Sequence, residues 1–196
     1  RSLAIVRERA RDLLALIDDM VDCAKLAGNE LRLSCDSHDA RKLIERAVDE
    51  AHARAGTRAL FVQVDIEGEL GRVFVDARRF VQALVSLMDH AARAPDGGSI
   101  VLRARKSPGD ASTAATVQVE VHDAQLEIRE SDREHVFTAF RPSFAPTGMR
   151  IAGLSLGTAI ARALVRAQGG DVWFASRPTR GTTFVVALPS VDGPAA

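Results

Sequence analysis

A glycine-rich helix start followed by a closing hairpin is the feature that most constrains the fold of this chain. The run GLSLGTAI, residues 153–160, opens an apolar helix pattern that continues to Gln168. The stretch GGDVWFASRPTRGTTFVVAL, residues 169–188, then reads as a strand, a turn and a second strand. Small residues at a helix N-terminus leave backbone N–H groups and the positive end of the helix dipole open to an anion. The pattern favours a phosphate site. The alternative is that the small residues only allow the helix start to pack tightly.

The first part of the chain carries a heptad pattern of apolar residues. The spacing between successive apolar residues alternates between four and three positions. The residues are Val6, Ala10, Leu13, Ile17, Met20, Ala24 and Ala27. Such a narrow seam predicts a long coiled-coil-type helix that pairs with another helix, so we expect a homodimer. An amphipathic helix that lies on its own domain is the alternative. We place the end of this unit at residue 29, where Gly28 and Asn29 stop the pattern.

Residues 30–190 mix strand and helix patterns, and residues 191–196 form a tail. The predicted strands are 30–35, 60–66, 72–75, 99–106, 116–122 and two within 169–188. The predicted helices are 40–55, 78–94 after an Asp76 N-cap, a short one from the cap Ser131 to about Phe140, and 156–168. Because the two kinds of element do not alternate strictly, we expect an α+β two-layer sandwich with helices on one face of a mixed sheet.

The composition excludes several classes of function. The 26 basic and 26 acidic residues cancel, whereas a nucleic-acid-binding protein carries a basic excess. No apolar run approaches the roughly 20 residues that cross a membrane, and the charged N-terminus is unlike a signal peptide. The chain has only 2 cysteines, so we expect a cytoplasmic fragment. We expect no direct contact of this fragment with nucleic acid or membrane, and its parent protein is soluble or membrane-anchored.

Several ordered motifs resemble those of the ATP-binding domain of sensor histidine kinases, in the superfamily that includes Hsp90, DNA gyrase and MutL. The matches are GLSLGTAI for the family's glycine box, GTTF at 181–184, Asp76, Arg79 and Gln82 before the asparagine box, Phe137 and Phe140 in VFTAF, and Asp123 after VQVEVH. The resemblance covers nearly the whole chain. It implies the Bergerat (GHKL) fold for residues 30–190, and the second helix of the dimerisation and phosphotransfer domain for residues 1–29.

The resemblance also implies a site, its cofactors and its partners. The cofactors are ATP and Mg²⁺, and the partner is the receiver domain of a response regulator. The cofactor-binding positions are Ser86, His90, Arg93, Asp123, Gln125, Glu127, Gly153, Ser155, Leu156, Gly157, Thr158 and Thr182. The carboxylate of Asp123 would accept the adenine amino group, the helix start would hold the phosphates, and residues 141–152 resemble the ATP lid.

Four of these positions depart from the family pattern. Ser86 and His90 replace the two asparagines of the N-x-x-x-N box, and Gln125 and Glu127 replace the glycines of D-x-G-x-G. His90 stands at the magnesium position, but Mg²⁺ prefers oxygen ligands and imidazole suits Zn²⁺ or Ni²⁺. Side chains at 125 and 127 would crowd the adenine site, and each would cost about 1 kcal/mol if it needed positive φ. We therefore predict weakened binding of nucleotide and magnesium.

No residue of this chain is assigned as catalytic. The family's acceptor histidine lies in an H-E-x-x-x-P context on the preceding helix, and His38 matches only part of that motif. The leading hypothesis is a histidine kinase fragment that cannot autophosphorylate alone. The alternative is a catalytically inactive pseudokinase, which uses the same fold as a signalling scaffold. A chaperone-like or DNA-repair ATPase is disfavoured by the heptad helix and the short lid.

Overall fold

The structure is a computed structural model. It describes residues 10, 14, 17, 20–22, 24–25, 28, 30–56, 59–92, 98–109, 114–138, 143–144, 150–151, 154–177 and 179–191. The strands are β1 (Asp36–Asp39), β2 (Leu60–Glu67), β3 (Arg72–Val75), β4 (Gly98–Ser107), β5 (Thr116–Asp123), β6 (Ser143–Phe144), β7 (Arg150–Ile151), β8 (Asp171–Arg177) and β9 (Gly181–Pro189). The helices are α1 (Ala40–Ala55), α2 (Ala77–Ala92), α3 (Leu154–Arg166) and a 3₁₀-helix (Glu130–His135). The described residues between 10 and 25 are also helical.

A five-stranded mixed sheet with the order β2-β4-β5-β9-β8 forms one layer of the fold. Strands β2 and β4 are parallel, and the other neighbours are antiparallel. The second layer is formed by α1, α2 and α3, which pack side by side and contact β2, the β4–β5 pair and β8, respectively. Two small antiparallel pairs, β1–β3 and β6–β7, complete the described strands. The predicted α+β sandwich with a mixed sheet is confirmed.

The apolar periodicity of the helices accounts for the core between the layers. Helix α1 buries one face, and Asp39 caps it by accepting a hydrogen bond from the Lys42 backbone N–H at 3.3 Å. The largest fully buried side chains are Phe80, Phe184, Ile44, Leu84, Met88, Ile100, Leu102, Leu126, Ile160, Leu164, Leu188 and Val73. Ten of the twelve come from the three helices and from strands β4 and β9, so the sheet and the helices share a single core.

The predicted strand at residues 30–35 is wrong. Those residues have no regular structure, and the strand in this region is β1, which pairs with β3 from Asp36↔Val75 onward. The side chains do alternate in burial over 31–35, as the sequence pattern indicated. However, the backbone N–H of Ser34 donates to the Asp76 carboxylate at 3.0 Å instead of to a strand. Alternation of this kind marks an extended segment, and pairing depends on a partner that the sequence pattern does not show.

The predicted Ser131 cap is also wrong. Ser131 lies inside the 3₁₀-helix, whose cap residue is Arg129. The backbone N–H of Asp132 donates to the carbonyl of Arg129 at 3.0 Å, which is the i→i+3 pattern of such a turn. This polar helix buries none of its residues and ends at His135, so it lacks the apolar face that a longer α-helix needs. Phe140, the predicted end, lies outside the described residues.

Asp76 caps α2, as predicted, and also joins three segments. Its carboxylate accepts from the backbone N–H groups of Arg79 at 3.1 Å and Ser34 at 3.0 Å, while its own N–H donates to the Gln168 side chain at 2.8 Å. Burial raises the pKa of Asp76, but the backbone hydrogen bonds from Ser34 and Arg79, together with the charge and the backbone N–H of Arg78, hold the pKa below its ordinary value.

We expect this cap to contribute to the acid sensitivity of the fold. A carboxylate whose folded pKa is depressed stabilises the native state above its unfolded pKa of about 4, and that contribution is lost as pH falls through the folded pKa. Asp76→Asn should therefore show a shallower fall in the free energy of unfolding below about pH 5. Urea titrations across this range measure the slope, with the exposed Asp65→Asn as control; equal slopes for wild type and Asp76→Asn would contradict the assignment.

Candidate functional site

The site is built around Asp123, the last residue of the central strand β5. Its side chain is only 6% exposed, and Oδ1 accepts backbone hydrogen bonds from Gln125 at 2.8 Å and Leu126 at 3.1 Å. These bonds form an Asx-type turn, in which a carboxylate takes the place of a backbone carbonyl. The turn fixes a charged group at the end of the sheet and directs the chain away from β5.

Strand β9 closes one side of this turn. Thr182 lies opposite Asp123 in the β5–β9 register, and the preceding Gly181 has a φ of +74°. A Cβ at position 181 would lie 2.2 Å from the Asp123 carbonyl oxygen and 2.5 Å from the Ala124 Cα. The glycine of the GTTF motif is therefore required twice, for its left-handed conformation and for the close approach of two backbones.

Two buried hydroxyl groups, those of Thr182 and Ser176, hold the segment that follows the turn. Thr182 Oγ1 donates to the Leu126 carbonyl at 2.7 Å and lies 2.8 Å from Ser176 Oγ, which accepts from the Ile128 N–H at 3.2 Å. Thr182 is fully buried, so its hydroxyl positions the loop. Sequence analysis did not single out Ser176, because its role follows from the β8–β9 register, Ser176↔Thr182, and not from a motif.

The two glycine replacements after Asp123 do not strain the backbone. Among the described residues only Thr179 is a non-glycine residue with positive φ, so Gln125 and Glu127 adopt conformations that any residue tolerates. Gln125 is exposed and Glu127 is half-buried. Neither residue therefore pays the energetic cost of a positive φ. Any effect of Gln125 and Glu127 on a ligand comes from the size and charge of their side chains.

A second part of the site lies where α3 crosses α2. A Cβ at Gly157 would lie 3.4 Å from the Ser86 carbonyl oxygen and 3.7 Å from the Ser86 Cβ. The structure thus brings the first position of the asparagine box against the glycine box. Leu156 is buried in the core, and the fully buried Thr158 donates its hydroxyl to the Val136 carbonyl. Both side chains fix the start of α3 in place.

Aromatic contacts connect the two parts. The Phe137 ring lies edge-on to Phe174 and Phe184, with centroids 5.8 Å and 6.4 Å away, and the Arg162 guanidinium lies 4.5 Å from its centroid. Phe184 belongs to β9, whose first residues border Asp123, and Val136 is tied to α3 through Thr158. A continuous chain of contacts therefore runs from the Asp123 turn to the helix start at 154–158.

Some predicted positions cannot be placed. Arg93 and Gly153 lie outside the described residues, and for His90 and Ser155 the structure describes only the backbone, in α2 and α3. Of the segment that resembles the ATP lid, the described part forms the antiparallel pair β6–β7, with Ser143 opposite Ile151. Within the part of the chain that is described, no group of three or more His, Cys, Asp or Glu side chains is arranged to hold a metal ion.

The order of these elements matches a known domain. A family model described as histidine kinase-, DNA gyrase B- and HSP90-like ATPase matches residues 75–192, more than half of the chain. The chain belongs to this ATPase family. The match begins in β3, before the Asp76 cap, and ends beyond β9, so the ATPase-family domain contains both the Asp123 turn and the α2–α3 crossing.

Curated relatives are sensor kinases and sensor proteins. The chain is 29% identical to the signal transduction histidine-protein kinase BarA of Escherichia coli K12 over 183 residues, which is 93% of this chain and 20% of BarA. It is 30% identical to the sensor protein DivL of Caulobacter vibrioides over 195 residues, 99% of this chain and 24% of DivL. It is 31% identical to the adaptive-response sensory kinase SasA of Synechococcus over 185 residues, 93% of this chain and 47% of SasA. The chain thus spans less than half the length of these relatives.

Solved structures share the ATPase-family fold. Full-length ShkA in complex with AMPPNP aligns with a TM-score of 0.74 and 23% identity, over 98% of this chain and 39% of that one. The Acinetobacter baumannii histidine kinase AdeS aligns with a TM-score of 0.66 and 20% identity, over 97% and 84%. The histidine kinase ThkA in complex with the response regulator TrrA aligns with a TM-score of 0.66 and 19% identity, over 92% and 49%.

Proposed function

We propose that this chain is the ATP-binding part of a two-component sensor histidine kinase. In this role the domain binds ATP, presents the γ-phosphate to an acceptor histidine on another segment, and so supplies a phosphate for the receiver domain of a response regulator. Catalysis of this kind depends mainly on positioning and electrostatic stabilisation. The observation that carries the proposal is the buried carboxylate of Asp123, fixed by backbone hydrogen bonds at the end of the sheet beside Gly181.

The described residues suit the adenine end of a nucleotide. The two hydrogen bonds within the turn hold the Asp123 carboxylate at the end of the sheet, and a carboxylate oxygen can accept more than one hydrogen bond. We assign Asp123 to the adenine amino group. Among the similar solved structures, ShkA was determined in complex with AMPPNP. We assign the phosphates to the backbone N–H groups at the start of α3, where Gly157 leaves room beside Ser86.

The residues suit magnesium less well. The position that holds the metal in the family carries His90, an imidazole, and its companion position carries Ser86. Mg²⁺ requires oxygen ligands in a tight octahedron, so an imidazole nitrogen is a poor substitute. We therefore propose that nucleotide binding by this chain depends only weakly on Mg²⁺.

Restoring the family residue should restore metal dependence. We expect His90→Asn to increase the ratio of ATP affinity with Mg²⁺ to ATP affinity with EDTA, because an amide oxygen replaces the imidazole. Isothermal titration calorimetry with and without Mg²⁺ measures this ratio, and exposed His52→Asn, on α1, is the matched control. An unchanged ratio would mean that position 90 does not face the metal.

A pseudokinase scaffold is the second candidate. It is supported by the four replacements Ser86, His90, Gln125 and Glu127 in the boxes nearest to nucleotide and metal. Thermal-shift measurements distinguish the two, because a ligand that binds only the native state at a hundred times its Kd adds about 2.7 kcal/mol to stability. A rise in Tm with ATP or ADP supports the kinase proposal. A constant Tm up to millimolar nucleotide would favour the scaffold.

We propose that the N-terminal helical segment mediates homodimerisation. Its described residues Leu14, Ile17, Met20 and Val21 are exposed and apolar, which is typical of a helix that packs against another helix. We propose that residues 1–29 belong to the dimerisation unit, that residues 30–190 form the ATP-binding domain, and that residues 191–196 form a tail. In the described part of the chain no helix has the length and apolarity needed to cross a membrane, and we propose a cytoplasmic location for this segment.

A further inference from the structure

A buried polar cluster attaches the N-terminal helical segment to α2. Asp22, which is 6% exposed, accepts hydrogen bonds on Oδ2 from Arg79 at 2.5 Å and from Gln82 at 2.8 Å. Arg79, also 6% exposed, donates in addition to the Gln82 side-chain oxygen at 2.8 Å. The three side chains therefore form a closed triangle of hydrogen bonds. Burial raises the pKa of Asp22, but the hydrogen bonds from Gln82 and Arg79, together with the positive charges of Arg79 and Arg78, keep the pKa below its ordinary value.

The connector after Asp22 is fastened to α2 a second time. The chain turns at Gly28, whose N–H donates to Ala24, and the N–H of Ser34 then donates to the Asp76 carboxylate at 3.0 Å. Asp76 caps α2, and Arg79 and Gln82 lie in its first turns. The segment and the connector are thus held at two points to the same end of one helix, so a rotation of the segment cannot occur without moving α2 or breaking the cluster.

Helix α2 also forms one wall of the candidate site. Ser86 follows Gln82 by four residues and Arg79 by seven, so all three lie along one face of the helix. Ser86 contacts the start of α3 through Gly157. The buried cluster and the α2–α3 crossing are therefore about one to two helical turns apart on a single rigid element.

We propose that Asp22, Arg79 and Gln82 form a rigid joint, which fixes the direction of the N-terminal helical segment and makes this segment and α2 move as one body. Asp22 is a positioning residue in this device. The joint gives a physical route by which a rotation of the segment reaches Ser86 and the start of α3. This inference goes beyond the proposed function and does not depend on nucleotide binding.

Hydrogen exchange of the full chain tests the joint. Asp22→Asn keeps one side-chain oxygen that can accept from Arg79 and Gln82, but it removes the negative charge that pairs with the Arg79 guanidinium. Since a hydrogen bond to a charged group stabilises by more than a neutral one, we expect amide exchange over residues 14–25 to accelerate about tenfold or more. Amides of β9 and α3 should keep their protection. Asp65→Asn, at an exposed position of β2, is the control for loss of charge alone.

A compensating variant separates the joint from general stability. Combining Asp22→Asn with Gln82→Glu moves the carboxylate onto α2, where it still faces Arg79 and accepts from the new amide. We expect this double variant to restore most of the protection of residues 14–25. Unchanged exchange in Asp22→Asn would overturn the proposal. Uniform acceleration through β9 and α3, or no restoration in a double variant whose β9 remains protected, would overturn it as well.

Discussion

Gly181→Ala is expected to lower the free energy of unfolding by about 3 kcal/mol or more. A left-handed conformation costs a non-glycine residue about 1–2 kcal/mol, and forcing extra atoms into a packed region adds about 1–3 kcal/mol. Both terms apply because Gly181 has a φ of +74° and its Cβ would lie 2.2 Å from the Asp123 carbonyl oxygen. The obstructing atoms belong to backbone, so they cannot swing aside as a flexible side chain would.

A second glycine provides a matched control for this prediction. Gly169 has a φ of +82°, and a Cβ there would meet no atom within 4 Å. Gly169→Ala therefore carries only the conformational cost, about 1 kcal/mol. Urea denaturation followed by circular dichroism measures both variants. If the two glycine variants lose the same stability, the contact between β9 and the Asp123 carbonyl is not tight.

The consequence for the site follows from the same contact. Because position 181 borders Asp123 and Ala124, a displaced β9 would also displace the Asx turn and the Thr182 hydroxyl that supports it. We therefore expect Gly181→Ala to lose nucleotide-induced stabilisation at temperatures where the variant is still folded. Gly169→Ala, on the turn before β8, should retain it.

Local physical chemistry predicted much of this fold. The apolar spacing of residues 40–55 and the capping preference of Asp76 each specify an element on their own, and the structure confirms both. The strand at 30–35 failed because alternation indicates an extended chain, while a strand requires a partner. The Ser131 cap failed for a similar reason, since a polar run long enough for one turn need not continue as an α-helix.

The candidate site was predictable only where a motif carries it. Asp123 and Gly181 stand in motifs, and the structure places them in direct contact. Ser176 and Asp22 stand in none, since their roles depend on strand register in one case and on the packing of a distant helix in the other. Periodicity and capping rules describe neighbouring residues, so they do not predict interactions between residues that are far apart in sequence.

The largest functional effect is expected at Asp123. Asp123→Asn retains one oxygen that can accept from Gln125 and Leu126, so the Asx turn should persist. The variant loses the negative charge, and its amide N–H groups cannot accept a hydrogen bond from the adenine amino group. Because hydrogen bonds to charged groups contribute about 1.5–3 kcal/mol, affinity for ATP and ADP should fall about tenfold to a hundredfold.

Comparison of nucleobases makes this last prediction specific. Guanine carries a carbonyl oxygen where adenine carries its amino group, and an amide donor can bond to it. Asp123→Asn should therefore lower the preference for ATP over GTP, whereas Asp123→Ala should weaken both and also lower the Tm by removing the turn. Calorimetric titrations of wild type, Asp123→Asn and Asp123→Ala with ATP and with GTP, six combinations in all, measure this. Equal ATP affinity in wild type and Asp123→Asn would show that this carboxylate does not read the base, and the turn would then be its whole role.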